Sequence, residues 1–379
     1  MLDENIKSNS ILKIPSKIDF KILDCLRGIA AVYVVFNHAR GNLFIGGEKY
    51  AHIKNIADWN IGEKIFFSAL RLTSLGREFV ILFFILSGFS IAYSLSKTKS
   101  KKTFYLRRVI RIYPPYIFAL IWAFIVFLLL RNFAPGTLPS GSRSVFSSLK
   151  ATLLNLFYVD TGSLIIQFWS LKYEVIFYIL IPLFILKKNL YLITSLAIAM
   201  ISVFINWHGL SGNNIITQYI LDYNFYFALG VFCFHYYTTI ERYLIFKSKS
   251  TFFIVSIILF LTMVVLKFWT GFDQDKVTFF IAGLFSVILL FNFLFHKIKT
   301  RNLMFFGKIS YTIYITHFAS LMLFSGILLK TGVIDSMEIQ NKFLWLLAIP
   351  FSLGLSYFFY LIVEKPTKGV LIKLRKSDK

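Results

Sequence analysis

Apolar residues in this chain gather into blocks of about 18–22, the length a helix needs to cross a hydrocarbon core of about 30 Å. About ten such blocks are predicted, at 22–40, 78–96, 112–130, 168–186, 190–207, 216–237, 251–269, 278–295, 305–329 and 343–363. The expected fold class is all-α: a polytopic membrane protein built as a bundle of transmembrane helices. The connections between blocks alternate in charge. The N-terminal tail, "KTKSKKTFYLRRVIR" (97–111), "KK" (187–188), "ERYLIFKSK" (241–249), "HKIKTR" (296–301) and the tail from Glu364 hold most of the Lys and Arg. The other connections, near 41–77, 131–167, 208–215, 270–277 and 330–342, hold fewer and mix them with Asp and Glu. The positive-inside rule places the basic set in the cytoplasm, and an even number of spans places both termini there too.

The domain organisation follows: a cytoplasmic tail over 1–21, a membrane domain over 22–366, and a basic cytoplasmic tail over 367–379. No small-residue cleavage pattern follows the first apolar block, which is expected to be retained. "APGTLPSGSRS" (134–144) is expected to be an external loop. No convincing internal repeat is evident.

Composition agrees with this reading: 57% of the 379 residues are hydrophobic, with 44 Phe and 20 Tyr, more apolar surface than a soluble domain needs. A net charge of +23 would suggest nucleic acid if it lay on one face, but it is shared among alternate loops. Nucleic acid is therefore not an expected partner, whereas membrane lipid is. Cys25 and Cys233 fall near cytoplasmic helix ends and are expected to be reduced. Cys25 has no base at helical spacing that would make it a nucleophile.

Candidate chemistry sits where titratable side chains enter apolar blocks, since such groups are costly in a membrane. In "LDCLRGIAAVYVVFNHA" (23–39), Arg27 and His38 lie eleven residues apart. That is about three turns, so they share a face about 16 Å long, with Asp24 and Asn37 close by. The plainer reading has Arg27 snorkelling to headgroups and His38 satisfied at the interface. Glu174, in "FWSLKYEVIFYILIPL", is expected at the depth of His38, where a carboxylate would orient the imidazole as a general base; the alternative is a structural ion pair. Arg108 and Arg111, in "FYLRRVIRIYPPY", share a helical face suited to paired donation to phosphate; topology and anionic lipid account for them equally well. Ser87, in "LFFILSGFSIAY", first suggests close helix packing. Tyr311 and His317, in "GKISYTIYITHF", read chiefly as helix–helix hydrogen-bonding groups.

Taken together the motifs resemble acyltransferase family 3, integral membrane O-acyltransferases of bacterial surface glycans. The resemblance runs in order from "LDCLRGIAAVYVVFNH" through "FFILSGF", "FYLRRVIRIYP", "WSLKYEVIFY" and "GKISYTIYITH" to "VEKP", about residues 20–367. Arg27 and His38 match the family's arginine–histidine signature, Arg108 and Arg111 its paired arginines, and "WSLKYE" its WSL-x-x-E element, bringing in Trp169. The resemblance implies a bundle of ten helices in the cell inner membrane and acyl-CoA, usually acetyl-CoA, as donor substrate. It implies a hydroxyl of a glycan or lipid-linked glycan as acceptor, and neither a permanently bound cofactor nor a metal. His38 and Glu174 would be catalytic. Arg27, Arg108 and Arg111 would bind acyl-CoA, and Asp24, Ser87, Trp169, Tyr311 and His317 would line the site. The competing expectation is a proton-coupled transporter or exporter of an envelope precursor, with His38 relaying protons.

Overall fold

In the computed structural model, residues 18–98, 100–134, 146, 153–156, 164–184, 187–207, 215–243, 248–268, 274–296, 298 and 300–377 are described. Each predicted apolar block falls on a helix. These are α1 (Phe20–Asn42), α4 (Gly76–Lys97), α5 (Lys101–Phe133), α6 (Trp169–Phe184), α7 (Lys188–Trp207), α8 (Asn224–His235), α10 (Lys249–Lys267), α11 (Gln274–Phe295), α12 (Met304–Lys330) and α13 (Ala348–Phe359). Shorter helices include α2 (Gly46–Ile53), α3 (Ile61–Leu70), α9 (Tyr237–Tyr243) and α14 (Lys365–Ser377). No strand occurs among the described residues; Phe44 and Ile339 form one isolated bridge.

Among the described residues, six helical stretches are long and apolar enough to cross a membrane: Ile61–Lys97, Lys101–Phe133, Lys249–Lys267, Lys276–Phe295, Met304–Lys330 and Leu344–Leu374. The other four blocks, on α1, α6, α7 and α8, are not among these. α1 carries Asp24, Arg27, His38 and Arg40, and a π-helical turn, Tyr219–Tyr223, precedes α8.

Two expectations change in detail. The basic C-terminal stretch is helical: α13 continues through a π-helical turn, Tyr360–Glu364, into α14. The segment 41–77 contains helices, because Asn60 caps α3 by accepting from the Glu63 N–H while the Glu63 carboxylate accepts from the Asn60 N–H. Glu63 also binds Lys54 at 2.8 Å, Lys342 at 2.9 Å and the Tyr50 hydroxyl at 3.0 Å. It thus fastens the connection before α3 to the one after α12. Its hydrogen bond pushes the Lys342 ammonium above the usual lysine range. Phe44, Phe67 and Trp345 pack beneath this cap.

The bundle closes on two glycine crossings. A Cβ on Gly28 would stand 2.6 Å from the Gly307 nitrogen, and one on Gly307 would stand 2.7 Å from the Asp24 carbonyl. Only glycine allows the backbones of α1 and α12 so near one another. Gly88 of α4 and Gly230 of α8 make the same kind of contact, with Cβ positions 2.2 Å from the Phe227 oxygen and 2.1 Å from the Ile85 oxygen.

Candidate active site

Arg27 projects from the first half of α1 and is held at three points. Its Nη1 donates to Asp24 Oδ1 at 2.9 Å, and its Nη2 donates to Ser90 Oγ at 2.6 Å and the Leu86 carbonyl at 3.3 Å. α5 brings Arg108 and Arg111 to the same place. The Arg108 guanidinium lies 5.3 Å from the Phe104 ring centre and 5.6 Å from that of Tyr178, and its Nε is buried without a hydrogen-bond partner. Pro114 and Pro115, just beyond Arg111, cannot donate back to the carbonyls of Ile110 and Arg111. Arg27 and Arg111 face Glu174 across a cavity of about 60 Å³ that Ser87, Tyr178 and Tyr311 also line. Glu174 Oε1 accepts from the Ser87 hydroxyl at 2.9 Å and from the Tyr178 hydroxyl. Three guanidiniums face Asp24 and Glu174; Glu364, also within electrostatic reach of Arg111, is taken up by Lys368 at 2.8 Å and the Thr312 hydroxyl, and Asp24, with a side chain 53% exposed, is already half in solvent. A surplus of buried positive charge with forked donors is what an anionic phosphate ligand requires.

Further along α1 is a second polar centre. His38 Nδ1 lies 2.9 Å from His317 Nε2, with the two rings 5.0 Å apart. His317 is fully buried; His38 is half-buried, with the edge of Phe318 against it at 5.3 Å. His317 Nδ1 approaches the carbonyls of Ile313 at 3.0 Å and Tyr314 at 2.9 Å, one turn back on its own helix.

The structure thus divides the expected residues between two centres. Arg27, Arg111, Glu174, Ser87 and Tyr311 share the cavity, with Arg108 stacked beside it; His38 and His317 form the other. The expected neighbourhood of Glu174 and His38 is corrected. Ser87, the partner of Glu174, lies on the turn of α4 that Arg27 grips, about three turns of α1 below His38. The reason is where α6 begins. Gln167 donates to the Ile315 carbonyl at 2.9 Å and Ser170 meets the Tyr314 hydroxyl at 2.6 Å, so α6 starts halfway along α12. Counting turns from an assumed membrane surface sets Glu174 too far out. Trp169 packs against Tyr223 at 5.4 Å and Phe84 at 6.3 Å, beside the cavity. Tyr311 donates to the Ile112 carbonyl at 3.1 Å. Asn37 donates to the Thr73 carbonyl at 2.8 Å, fixing the turn before α4.

Sequence reasoning passes over Ser90, Tyr178 and the pairing of the two histidines. Tyr178 is legible in hindsight, since it stands one helical turn after Glu174. The histidine pair also leaves a trace, because Gly28 precedes His38 by the interval that separates Gly307 from His317.

A helical membrane protein with an arginine-lined cavity at one level and paired imidazoles at another has the equipment of a membrane-embedded transferase. Comparison with known proteins names the class. Residues 20–361 match the family described as an acyltransferase domain, and the chain belongs to it, acyltransferase family 3. A curated relative, "Acyltransferase MdmB" from Streptomyces mycarofaciens, is 35% identical over 132 residues, which is 34% of this chain and 32% of that protein. The match thus spans about a third of the relative. No solved structure matches.

Proposed function

We propose that this acyltransferase moves an acyl group, acetyl by the family's habit, from cytoplasmic acyl-CoA to a hydroxyl of a surface glycan or lipid-linked glycan. The observation that carries this reading is the cavity where Arg27 and Arg111 face one carboxylate with Arg108 alongside. Its place at the end of α1 nearer the basic connections suits a cytoplasmic, polyanionic donor. The phosphates of the donor are held by the three guanidiniums; Glu174 is their counter-charge while the donor is absent. The thin pantetheine arm follows the face of α1 toward His38. His38 takes the proton of the acceptor hydroxyl as its oxygen attacks the thioester carbonyl, and coenzyme A thiol departs.

In this reading ten spans cross the cell inner membrane with both termini in the cytoplasm, membrane lipid surrounds the bundle, and nucleic acid has no part. Reporters fused after Lys379 and within the α2 connection must then report opposite sides. The activity test incubates purified protein with acetyl-CoA and follows release of free thiol. In parallel, surface glycans from cells with and without the gene are compared for base-labile ester groups by mass. Absence of both thiol release and an ester difference excludes the reading.

A further inference from the structure

The two histidines carry more information than their proximity. Carbonyl oxygens only accept, and His317 Nδ1 lies within 3.0 Å of two of them, Ile313 and Tyr314. That nitrogen therefore bears the hydrogen, in a bond shared between two carbonyls as helix geometry allows. In the neutral ring the other nitrogen, Nε2, has only its lone pair to offer. His38 Nδ1 lies 2.9 Å from it and must donate. The chain of donors thus runs from His38 through His317 to the α12 backbone, and it leaves His38 with Nε2 unprotonated. The ring is held there by the edge of Phe318. His317 is fully buried, so the half-buried His38 holds the one imidazole of the pair that a substrate can reach.

We propose that His317 is a positioning residue for acyl transfer: it fixes His38 in the Nδ1–H tautomer, presents Nε2 to the acceptor hydroxyl, and receives the Nδ1 proton when Nε2 gains one. This rests on the reading of His38 as the base. As the acceptor O–H bond breaks, its proton passes to His38 Nε2 while the oxygen bonds the thioester carbonyl carbon. The Nδ1 proton then moves to His317 Nε2, giving an imidazolium whose Nδ1–H is already bonded to two carbonyls. The carbon–sulfur bond breaks, and the thiolate takes a proton from His38 Nε2 as His317 returns its own to His38 Nδ1. Acyl ester and free thiol leave, and both rings are restored. A backbone carbonyl here has the orienting part that a carboxylate has in a catalytic triad.

The test is nitrogen-15 NMR on full-length protein in lipid nanodiscs with labelled histidine, read beside turnover. Wild type must show His38 protonated at Nδ1; a His38 protonated at Nε2 overturns the proposal whatever the variants do. His317→Gln keeps an acceptor near the same point, so the tautomer must persist, with turnover reduced about 10-fold because the amide cannot take the proton. His317→Phe must lose the tautomer preference and fall to the rate of His38→Ala. Should His38→Ala be inactive while His317→Phe keeps wild-type turnover and tautomer, the positioning role is wrong and the base assignment stands. Turnover retained by His38→Ala removes the base assignment itself.

Discussion

Gly28 and Gly307 touch backbone to backbone, and ten residues later on each helix His38 meets His317. Each pair is 279 residues apart in the chain, so α1 and α12 run side by side in the same direction, in register over about 15 Å. The glycine crossing sets the spacing at which two imidazoles can share one hydrogen.

A first prediction follows for the crossing. Gly28→Ala forces its new Cβ toward the Gly307 nitrogen, 2.6 Å away in the native packing. Overpacking of this kind costs about 1–3 kcal/mol, and the helices must part. Thermal stability in detergent should fall, and turnover should fall further than at a lipid-facing glycine control. Wild-type activity in a normally melting Gly28→Ala protein would show that the register is not tied to function.

At the arginine cavity, Arg108→Ala and Arg111→Ala should each weaken acyl-CoA binding by about tenfold or more, the loss of a charge-assisted pair worth about 1.5–3 kcal/mol. Lysine should restore only part of it, lacking the forked geometry. Titration with a non-hydrolysable acyl-CoA analogue measures this directly. Unchanged donor affinity with weakened acceptor use assigns these residues to the other substrate.

Glu174 offers a sharper contrast. Glu174→Gln keeps an acceptor for the Ser87 and Tyr178 hydroxyls but removes a negative charge from among three guanidiniums. The empty site becomes more positive, so binding of the anionic donor should tighten, whereas a carboxylate acting on His38 would give unchanged binding and slower turnover. The same analogue titration, paired with a rate measurement, separates the two.

The cap around Glu63 gives a structural prediction. Glu63→Gln loses the ionic part of its contacts with Lys54 and Lys342. Amides of 44–60 and 338–343 should then exchange faster with deuterium, while the α12 core remains protected. Equal exchange in both proteins means the aromatic packing alone holds the cap.

How much of this was written in the sequence depends on distance along the chain. The helices were legible because apolar blocks of membrane length leave few other structures. The arginine face was legible because Arg108 and Arg111 stand one turn apart, and Arg27 and His38 three. What linked Glu174 to Ser87, or His38 to His317, was not, because those pairs lie 87 and 279 residues apart. Their meeting depends on where each helix starts relative to its neighbours. Glu174 shows the cost: a shift in the starting level of α6 moved it from one centre to the other. The helices of 41–77 were missed because a capping box signals a helix start only where the polar segment is already suspected of order.

The starting level of α6 has one further consequence. α6 starts beside the middle of α12, after a 3-10 turn over Ile166–Phe168. The chain before α6 leaves regular α-helix, with the Trp169 N–H donating to the Ile166 carbonyl, and lipid tails offer no partners to backbone groups outside a helix. Protein or water must therefore surround that end. Backbone outside regular α-helix is thus shielded from lipid by the bundle itself, with the Tyr314 hydroxyl donating to the Gln167 carbonyl at 2.9 Å.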